Sequence, residues 1–413
     1  MNIGFVGLGK LGLPVALAVE SKGHKVFGYD ISNKVKSIIE AKKIPYKEIW
    51  AQKYLEKSKI KFSSLSEVVK NSEIIFVPIQ TPHDPLYEGV TRIPKKRIDF
   101  DYSFLIKGMK ALSQEIEKQK ENKIVIIIST VLPGTIRKYI KPLLGPHTQI
   151  CYNPFFIAMG TTMRDFLFPE FILFGVDNLK AAQKAEDFYK TINNAPFFKT
   201  TLENAELIKV TYNTFISTKI SFINTIMELC YHLPNTNVDD VTKALSLGSR
   251  RIISNSYMSG GMSDGGGCHP RDNIALSWLA KKHNLSFDWF ESIMEQREKQ
   301  TEWLASLIVK EVKKDLNEIF ILGRSFKPET NIETGSPAIL LMNIIKEKKL
   351  KIKSYDPFLD IKKPKFKKGI YFIATKHEIF ENYKFPNGSV VIDPFRYVIY
   401  KDNIKYIPIG KNS

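Results

Sequence analysis

The chain has 413 residues, 43% of them hydrophobic, which is enough for two or three domains with proper cores and excludes a disordered protein. The net charge of +18 comes from lysines spread along the chain and mixed with glutamates, as in Glu117-Lys118-Gln119-Lys120-Glu121, which reads as a solvated surface and not as a nucleic-acid-binding stripe. No apolar run approaches bilayer length and the first residues read as a strand. The chain is therefore expected in the cytoplasm with no membrane partner, and its three cysteines, Cys151, Cys230 and Cys268, lacking any CxxC or Cys/His pattern, as free thiols that bind no metal.

Asn2-Ile3-Gly4-Phe5-Val6 is an apolar strand that runs into Gly7-Leu8-Gly9-Lys10-Leu11-Gly12, and Leu13 to Val19 then carries helical apolar spacing. Strand, glycine-rich turn and helix in that order suit a pyrophosphate, which the glycines let the backbone approach and the helix N-terminus attracts. Lys25 to Asp30 reads as a second strand ending in an acid placed to accept hydrogen bonds from an adenosine ribose. That charge would repel a 2′-phosphate, so NAD is expected over NADP. Strands at Glu73 to Pro78 and Lys123 to Ile128, with a helix from Tyr102 to Leu112, continue the alternation, and such unbroken apolar runs belong to buried parallel strands. Thr81-Pro82 and the segment Ser129 to Thr135 fall at strand C-terminal ends, where open α/β sheets bind ligands. Thr130 is thus a site candidate, or else a turn or cap hydroxyl. The polar stretch from His83 to Arg97 is expected to be an active-site loop.

After Cys151 to Phe156, a strand at Phe171 to Val176 and a helix from about Asn178 to Ile192, a helical pattern runs from about Glu203 to His232. It interrupts the alternation and reads as a spine, with helices at Val238 to Leu247, Asn273 to His283 and Phe287 to Lys313 around it. Lys209 and Asn213 are spaced i, i+4 on this spine and suit a developing oxyanion, or are two polar residues on a wet face. Gly265-Gly266-Gly267-Cys268-His269-Pro270-Arg271-Asp272 sets a lone cysteine between glycines and a basic–acidic pair. The glycines give a substrate carbon access to the sulfur, Arg271 would favour the thiolate, and Asp272 would hold a water or proton if Pro270 opens a helix. Cys268 is a candidate nucleophile, with an inert buried thiol as the other reading. Strands at Glu318 to Gly323, up to Tyr355-Asp356-Pro357, and near Tyr371 and Val390, with a helix from Pro337 to Glu347, form a second doubly wound unit without a GxGxxG. Lys327, past a strand end, is placed for a phosphate or is a surface lysine. The fold class is α/β, two Rossmann-like doubly wound domains joined by a long central helix and a helical middle domain.

These motifs resemble the UDP-glucose/GDP-mannose dehydrogenase family in order and over nearly the whole chain. The resemblance rests on Gly7 to Gly12, Ser129 to Thr135, Asn153-Pro154 with Asp165-Phe166-Leu167, Lys209 with Asn213, Gly265 to Asp272, Phe326-Lys327-Pro328 with Ser336-Pro337-Ala338, and Tyr355-Asp356-Pro357. It implies an NAD-binding domain over residues 1–200, a central helical dimerisation domain with the cysteine loop over 201–300, and a C-terminal nucleotide-sugar domain over 301–413. It also implies oxidation of the C6 alcohol of a nucleotide sugar, UDP-glucose or a similar UDP-hexose, to the uronic acid in two NAD-dependent steps, serving polysaccharide synthesis; a homodimer joined through the central helices is expected because that spine would otherwise expose an apolar face. Cys268 would capture the aldehyde as a thiohemiacetal, which a second oxidation turns into a thioester for hydrolysis. Lys209 and Asn213 would stabilise the oxyanions, Asp272 and Thr130 would hold water, and Lys327 would bind the nucleotide end. Cofactor contacts are implied at Gly7, Gly9, Lys10, Leu11, Gly12, Asp30, Thr81 and Thr130, and substrate contacts at Asn153, Phe155, Phe156, Lys209, Asn213, Gly265, Gly266 and Lys327.

The chain departs from the family where Asn-Pro-Glu-Phe-Leu-x-Glu-Gly becomes Asn153-Pro154-Phe155-Phe156-Ile157-Ala158-Met159-Gly160. Phe155 and Met159 replace both glutamates, and an apolar side chain cannot take a proton. An enzyme that stops at the aldehyde, or passes the thioester to another nucleophile, is therefore the alternative. Asp264 stands where the family has an aromatic residue and His269 where it commonly has phenylalanine; one of them supplies the lost base, or both lie outside the chemistry. Thr334 replaces an arginine and Arg396 lies one place beyond an Asp-x-Arg pattern, so the preferred sugar or nucleotide is expected to differ. A nucleotide-sugar or NAD sensor without turnover is the alternative of another class, against which Cys268 and Asp272 argue.

Overall fold

The computed structural model describes residues 1–82, 84–92, 94–249, 257, 259–282, 284, 288–400 and 403–412. His83, where the polar insertion begins, and His283 and Phe287, two expected helix ends, lie outside them. The chain forms two units, Met1–Pro82 with Phe100–Thr211, and His83–Asp99 with Tyr212–Ser413.

The first unit carries an eight-stranded sheet of β1 (Asn2–Val6), β2 (Lys25–Tyr29), β3 (Lys61–Phe62), β4 (Ile74–Val77), β5 (Lys123–Ile127), β6 (Thr148–Tyr152), β7 (Ile172–Gly175) and β8 (Phe197–Thr200). Their order is β3-β2-β1-β4-β5-β6-β7-β8. Strands β1 to β6 are parallel, whereas β7 runs against β6 and carries β8 with it. The chain winds outward from β1 to β3 and returns to β4 on the other side, so the C-terminal ends of β1 and β4 flank the switch point at which such sheets bind ligands.

β4 and β5 are wholly apolar apart from Lys123 because helices cover both faces. Helix α1 (Gly12–Ser21) buries every residue from Gly12 to Val19. Between β2 and β4 lie α2 (Asn33–Glu40), α3 (Ala51–Lys57) and α4 (Leu65–Asn71), the last opened by a capping box of Ser64 and Glu67. Helix α5 (Ser103–Gln119) passes its expected end at Leu112 because Ile116 continues the buried stripe of Leu105, Met109 and Leu112; Lys120, left-handed at φ 55, stops it. Short α6 (Thr162–Leu167) and α7 (Leu179–Lys190) complete the layer.

Helix α8 (Leu202–His232) starts in the first unit and continues into the second as one element. After it come β9 (Thr236–Asn237), α9 (Val238–Leu247), α10 (His269–Lys282) and α11 (Trp289–Glu311). Helix α10 begins before the expected Asn273, since Pro270 fits a first turn, where its missing N–H has no partner to lose. A second sheet follows, of β10 (Ile319–Leu322), β11 (Ile352–Tyr355), β12 (Ile370–Ile373), β13 (Val390–Asp393) and β14 (Lys405–Pro408), all parallel in the order β11-β10-β12-β13-β14. Helix α12 (Pro337–Glu347) covers the face of Ile319, Ile321 and Phe372, while Phe320, Tyr371 and Phe380 form an aromatic cluster on the other. β14 escapes the sequence reading because it is an edge strand without an apolar run. Last, β15 (Lys411–Asn412) pairs with β9.

The described part of the insertion is ordered by the second unit. Tyr87 and Ile98 pack with Ile274 of α10 and Met294 of α11, and Arg97 pairs with Glu291. Among the described residues no helix is long and apolar enough to cross a membrane.

Candidate active site

β1 ends in a turn that requires glycine. Gly7 sits at φ 114, and a Cβ on Gly12 would lie 2.2 Å from the Gly7 carbonyl, so α1 starts hard against the strand. A Cβ on Gly9 would meet nothing within 4 Å, which leaves room over the turn between exposed Lys10 and half-buried Leu11. Gly7 N–H donates to Tyr29 O (2.8 Å), and the Asp30 carboxylate accepts from Leu8 N–H (2.7 Å) and Ser32 N–H (2.8 Å). Asp30 is fixed beside the turn, partly exposed, and each oxygen keeps a lone pair for a ribose hydroxyl. The turn and acid fit a dinucleotide.

The second sheet repeats this device with the acid closed off. Gly323, at φ 91, follows β10 and donates to Tyr355 O (2.8 Å), and Arg324 N–H donates to Asp356 Oδ2 (2.7 Å). Asp356 also accepts from Ser325 N–H (2.9 Å), Ser325 Oγ (2.6 Å) and His377 Nε2 (3.2 Å) and is fully buried. Burial opposes its charge, yet these bonds hold its carboxyl well below the usual range. Of the two turns, the first has the acid that can face a ribose.

At the strand ends beyond that turn, Thr81 Oγ1 donates to Thr130 O (2.7 Å), which brings two of the expected residues together. The loop after Thr130 is held by Glu206 of α8, a residue the sequence reading passes over. Its carboxylate accepts from the N–H groups of Gly134 and Ile136 (2.8 Å to the latter). Glu206 is fully buried, and desolvation raises its carboxyl to about 7 against the lowering by those two bonds. Since this lies above the unperturbed 4.5, the stabilisation linked to the group is complete below about pH 4.5 and lost as pH rises through about 7. The protein is expected to lose about 3 kcal/mol from this group between roughly pH 4.5 and pH 8, and Glu206→Gln to remove that slope. Urea denaturation across that range measures it; an unchanged slope in the variant would assign the dependence elsewhere.

Glu206 opens a buried polar stripe on α8 that continues through Lys209, Asn213, Ser217 and Asn224. Lys209 and Asn213 are thus not on a wet face. Lys209 Nζ lies over the Phe156 ring, 5.2 Å from its centroid. The neighbouring Phe155 ring packs 5.4 Å from Phe166 and offers no proton acceptor. Asn153 is buried and commits its amide internally, donating to Leu173 O (2.9 Å) and accepting from the Tyr189 hydroxyl.

In the second unit the same stripe meets the cysteine loop. Asn213 Nδ2 donates to Asp272 Oδ2 (2.5 Å), and Arg271 donates to Asp272 Oδ1 through Nε (3.1 Å) and Nη2 (3.0 Å). The cation expected to serve the sulfur is turned to the carboxylate. Asp272 is fully buried, and its N–H donates to Cys268 O (2.8 Å), so α10 starts on the cysteine. Cys268 is exposed, while Cys151 and Cys230 are buried and burial pushes the Cys151 thiol far up. Of the three cysteines, Cys268 is therefore the one whose thiol reaches solvent. Cβ atoms on Gly265 and Gly266 would lie 2.8 Å from Pro337 Cδ and 2.9 Å from Phe326 Cε2, so the loop packs against the segment that carries Lys327, whose Nζ lies 5.6 Å from the Phe326 centroid.

Asp264 has partners that disqualify it as a replacement base. Arg297 of α11, buried, donates from Nε to Asp264 Oδ1 (3.1 Å), from Nη1 to Gly89 O (2.9 Å) and from Nη2 to Gly335 O (3.2 Å). Ser217 Oγ donates to the other oxygen (2.8 Å). With both oxygens engaged and its side chain buried, Asp264 anchors the loop. Neither Arg297 nor Ser217 is singled out by the sequence reading, although the helical spacing of Glu206, Lys209, Asn213, Ser217 and Asn224 is a signal that could have found the stripe. Arg396 is likewise spent, on Asp239 (2.7 Å) and on Gly260 O (2.9 Å).

The open acid and glycine turn fit the first unit to a dinucleotide, and the sheet order places the chain in the doubly wound α/β class. Residues 1–193 match the NAD binding domain of the UDP-glucose/GDP-mannose dehydrogenase family, and residues 203–299 match the family's central domain. The chain belongs to this family of NAD-dependent nucleotide-sugar dehydrogenases. It is 28% identical over 366 residues to the UDP-glucose 6-dehydrogenase of Rickettsia conorii, covering 86% of this chain and 81% of that one. With the GDP-mannose 6-dehydrogenase of Pseudomonas aeruginosa it shares 26% over 369 residues, again 86% and 81%. Its fold is similar to the solved UDP-glucose dehydrogenase of Pyrobaculum islandicum, with a TM-score of 0.86 at 23% identity over 99% of this chain and 98% of that one. It is also similar to the UDP-D-ManNAc dehydrogenase of Pyrococcus horikoshii, with a TM-score of 0.83 at 22% identity over the whole of both chains.

Proposed function

We propose that the protein oxidises the C6 alcohol of a UDP-hexose, UDP-glucose or a near relative, to the uronic acid in two steps, with Cys268 as nucleophile. The observation that carries this reading is the exposed Cys268 thiol at the head of α10, one turn before the buried Asp272–Asn213 pair. Gly7, Gly9, Lys10, Leu11, Gly12, Asp30, Thr81 and Thr130 would hold NAD, which would supply the hydride acceptor for each step. Lys209 takes the proton of the alcohol and with Asn213 stabilises the oxyanions that develop on the sugar oxygen. Asp272 and Thr130 hold the water of proton transfer. Cys268 adds to the aldehyde because only a tetrahedral carbon can lose the second hydride, and sulfur then leaves readily from the thioester. Asn153, Phe155, Phe156, Gly265 and Gly266 frame the sugar, and Lys327 binds the nucleotide end.

The same reading keeps the division into residues 1–200, 201–300 and 301–413, cytoplasmic action and a product destined for polysaccharide. A homodimer through α8 is supported by Leu207, Phe215 and Phe222, an outward apolar stripe whose two phenylalanines are 50% and 54% exposed. The enzyme that stops at the aldehyde is a second reading, favoured by the packing of Phe155 on Phe166 in place of a carboxylate.

NADH formed per sugar at limiting UDP-glucose and excess NAD separates these. Two per sugar is expected; one would establish the aldehyde-level enzyme. None from UDP-glucose, GDP-mannose or UDP-N-acetylmannosamine would leave a sensor.

A further inference from the structure

We propose that the insertion positions Cys268, with Gly89 as the residue that bears on the cysteine helix; the proposal rests on the reading of Cys268 given above.

The contact lies just past the cysteine. Gly89 is buried and left-handed at φ 72, and a Cβ built on it would lie 2.9 Å from Pro270 Cβ and 3.1 Å from Pro270 Cγ. The backbone of the insertion therefore packs directly on the Pro270 ring, closer than any residue with a Cβ could come. Pro270 is buried in the first turn of α10, two residues after Cys268, and that turn closes on the cysteine through Asp272 N–H and Cys268 O (2.8 Å). The proline ring fixes its own φ, so a push on it passes to the backbone of the turn and is not absorbed by a side-chain rotation.

The head of α10 is gripped from two directions. His269 and Asp272 turn to α8, where His269 Nδ1 lies 2.9 Å from Ser217 Oγ and Asp272 accepts from Asn213. Pro270 and Ile274 meet the insertion, the first at Gly89 and the second in the cluster with Tyr87. At about 100° per residue these two pairs lie about 150° apart around the helix. Polar bonds hold one side and close packing holds the other.

The insertion is itself anchored on both sides of this contact. Gly89 O accepts from Arg297 Nη1 (2.9 Å), and the same buried guanidinium donates from Nε to Asp264 Oδ1 (3.1 Å), at the far end of the cysteine loop. One residue on, Val90 O accepts from Asn343 Nδ2 of α12 (2.8 Å), and Arg92 pairs with Glu302 of α11 and Glu347 of α12. Tyr87 packs on Met294 of α11, and Arg97 pairs with Glu291 of the same helix. Gly89 is thus a fixed stop for the turn that carries the thiol.

The first oxidation does not use the thiol and the second does, so a misplaced Cys268 slows the second alone, whereas a general loss of structure slows both. Gly89→Ala drives a methyl group into Pro270. The test is rapid mixing with excess NAD and whichever of UDP-glucose, GDP-mannose or UDP-N-acetylmannosamine the parent oxidises. The first NADH is expected at the parent rate and the second slowed by roughly 10- to 10²-fold, the cost of a misplacement of about 1 Å. Gly89→Ala with Pro270→Gly removes both colliding carbons but keeps alanine in the left-handed backbone, and should recover most of the second rate. Tyr87→Ala, which loosens the insertion without a collision, should slow the same step by less and serves as the test if Gly89→Ala does not fold. Equal slowing of both steps, parent rates in the single variants, or a defect that the double variant does not relieve would overturn the assignment to Gly89. A parent protein that forms one NADH per sugar, or none from the three sugars, would overturn the thiol reading together with it.

Discussion

Cys268→Ser is expected to slow the second oxidation, from aldehyde to acid, by about 10³-fold or more while NAD and nucleotide sugar still bind. The thiol is exposed and ends the loop on which α10 begins, so serine is accommodated without repacking. What changes is the chemistry. A hydroxyl is a poorer nucleophile towards an aldehyde than a thiolate, and an alkoxide leaves an ester far less readily than sulfur leaves a thioester. The variant should therefore form at most one NADH per sugar, with aldehyde as product. Two NADH per sugar at the parent rate would remove Cys268 from the reaction. Equilibrium binding of NAD, measured on the same sample, guards against a folding defect.

Arg297→Met is expected to destabilise the protein by about 3–5 kcal/mol, because it leaves Asp264 buried without its counter-charge. The guanidinium also serves Gly89 O and Gly335 O, so the insertion, the cysteine loop and the turn before α12 lose a common anchor. Adding Asp264→Leu should recover much of the loss, since removing both members of a buried pair costs little compared with removing one. Urea denaturation of the two variants decides it. A single variant within about 1 kcal/mol of the parent, the size of an exposed pair, would mean that the pair is solvated in solution.

The dinucleotide turn was legible because each of its parts is local. The apolar strand, the glycines at fixed offsets and the acid at the end of the next strand lie within 30 residues, and the geometry of Gly7, Gly12 and Asp30 follows from them. The second turn was half legible. Its strand and Asp356 are visible, but the closing of that acid by Ser325 and His377 depends on a residue from another strand end.

By itself, then, the sequence determined the βα alternation, the site for NAD, the long helix and the placing of Cys268 in a glycine loop, since these are written in spacings of a few residues. Only the tertiary structure decided which way α8 faces. Its polar stripe and its apolar stripe both keep helical spacing, and burial of Leu207, Phe215 and Phe222 is the ordinary expectation. The fold does the reverse, burying Glu206, Lys209, Asn213, Ser217 and Asn224 and leaving the apolar three exposed. Most of the bonds that make this favourable come from far along the chain, from Gly134, Gly261, Asp264 and Asp272. A polar side chain is cheap to bury only where such partners wait for it, and no local spacing can announce partners that the chain brings from so far.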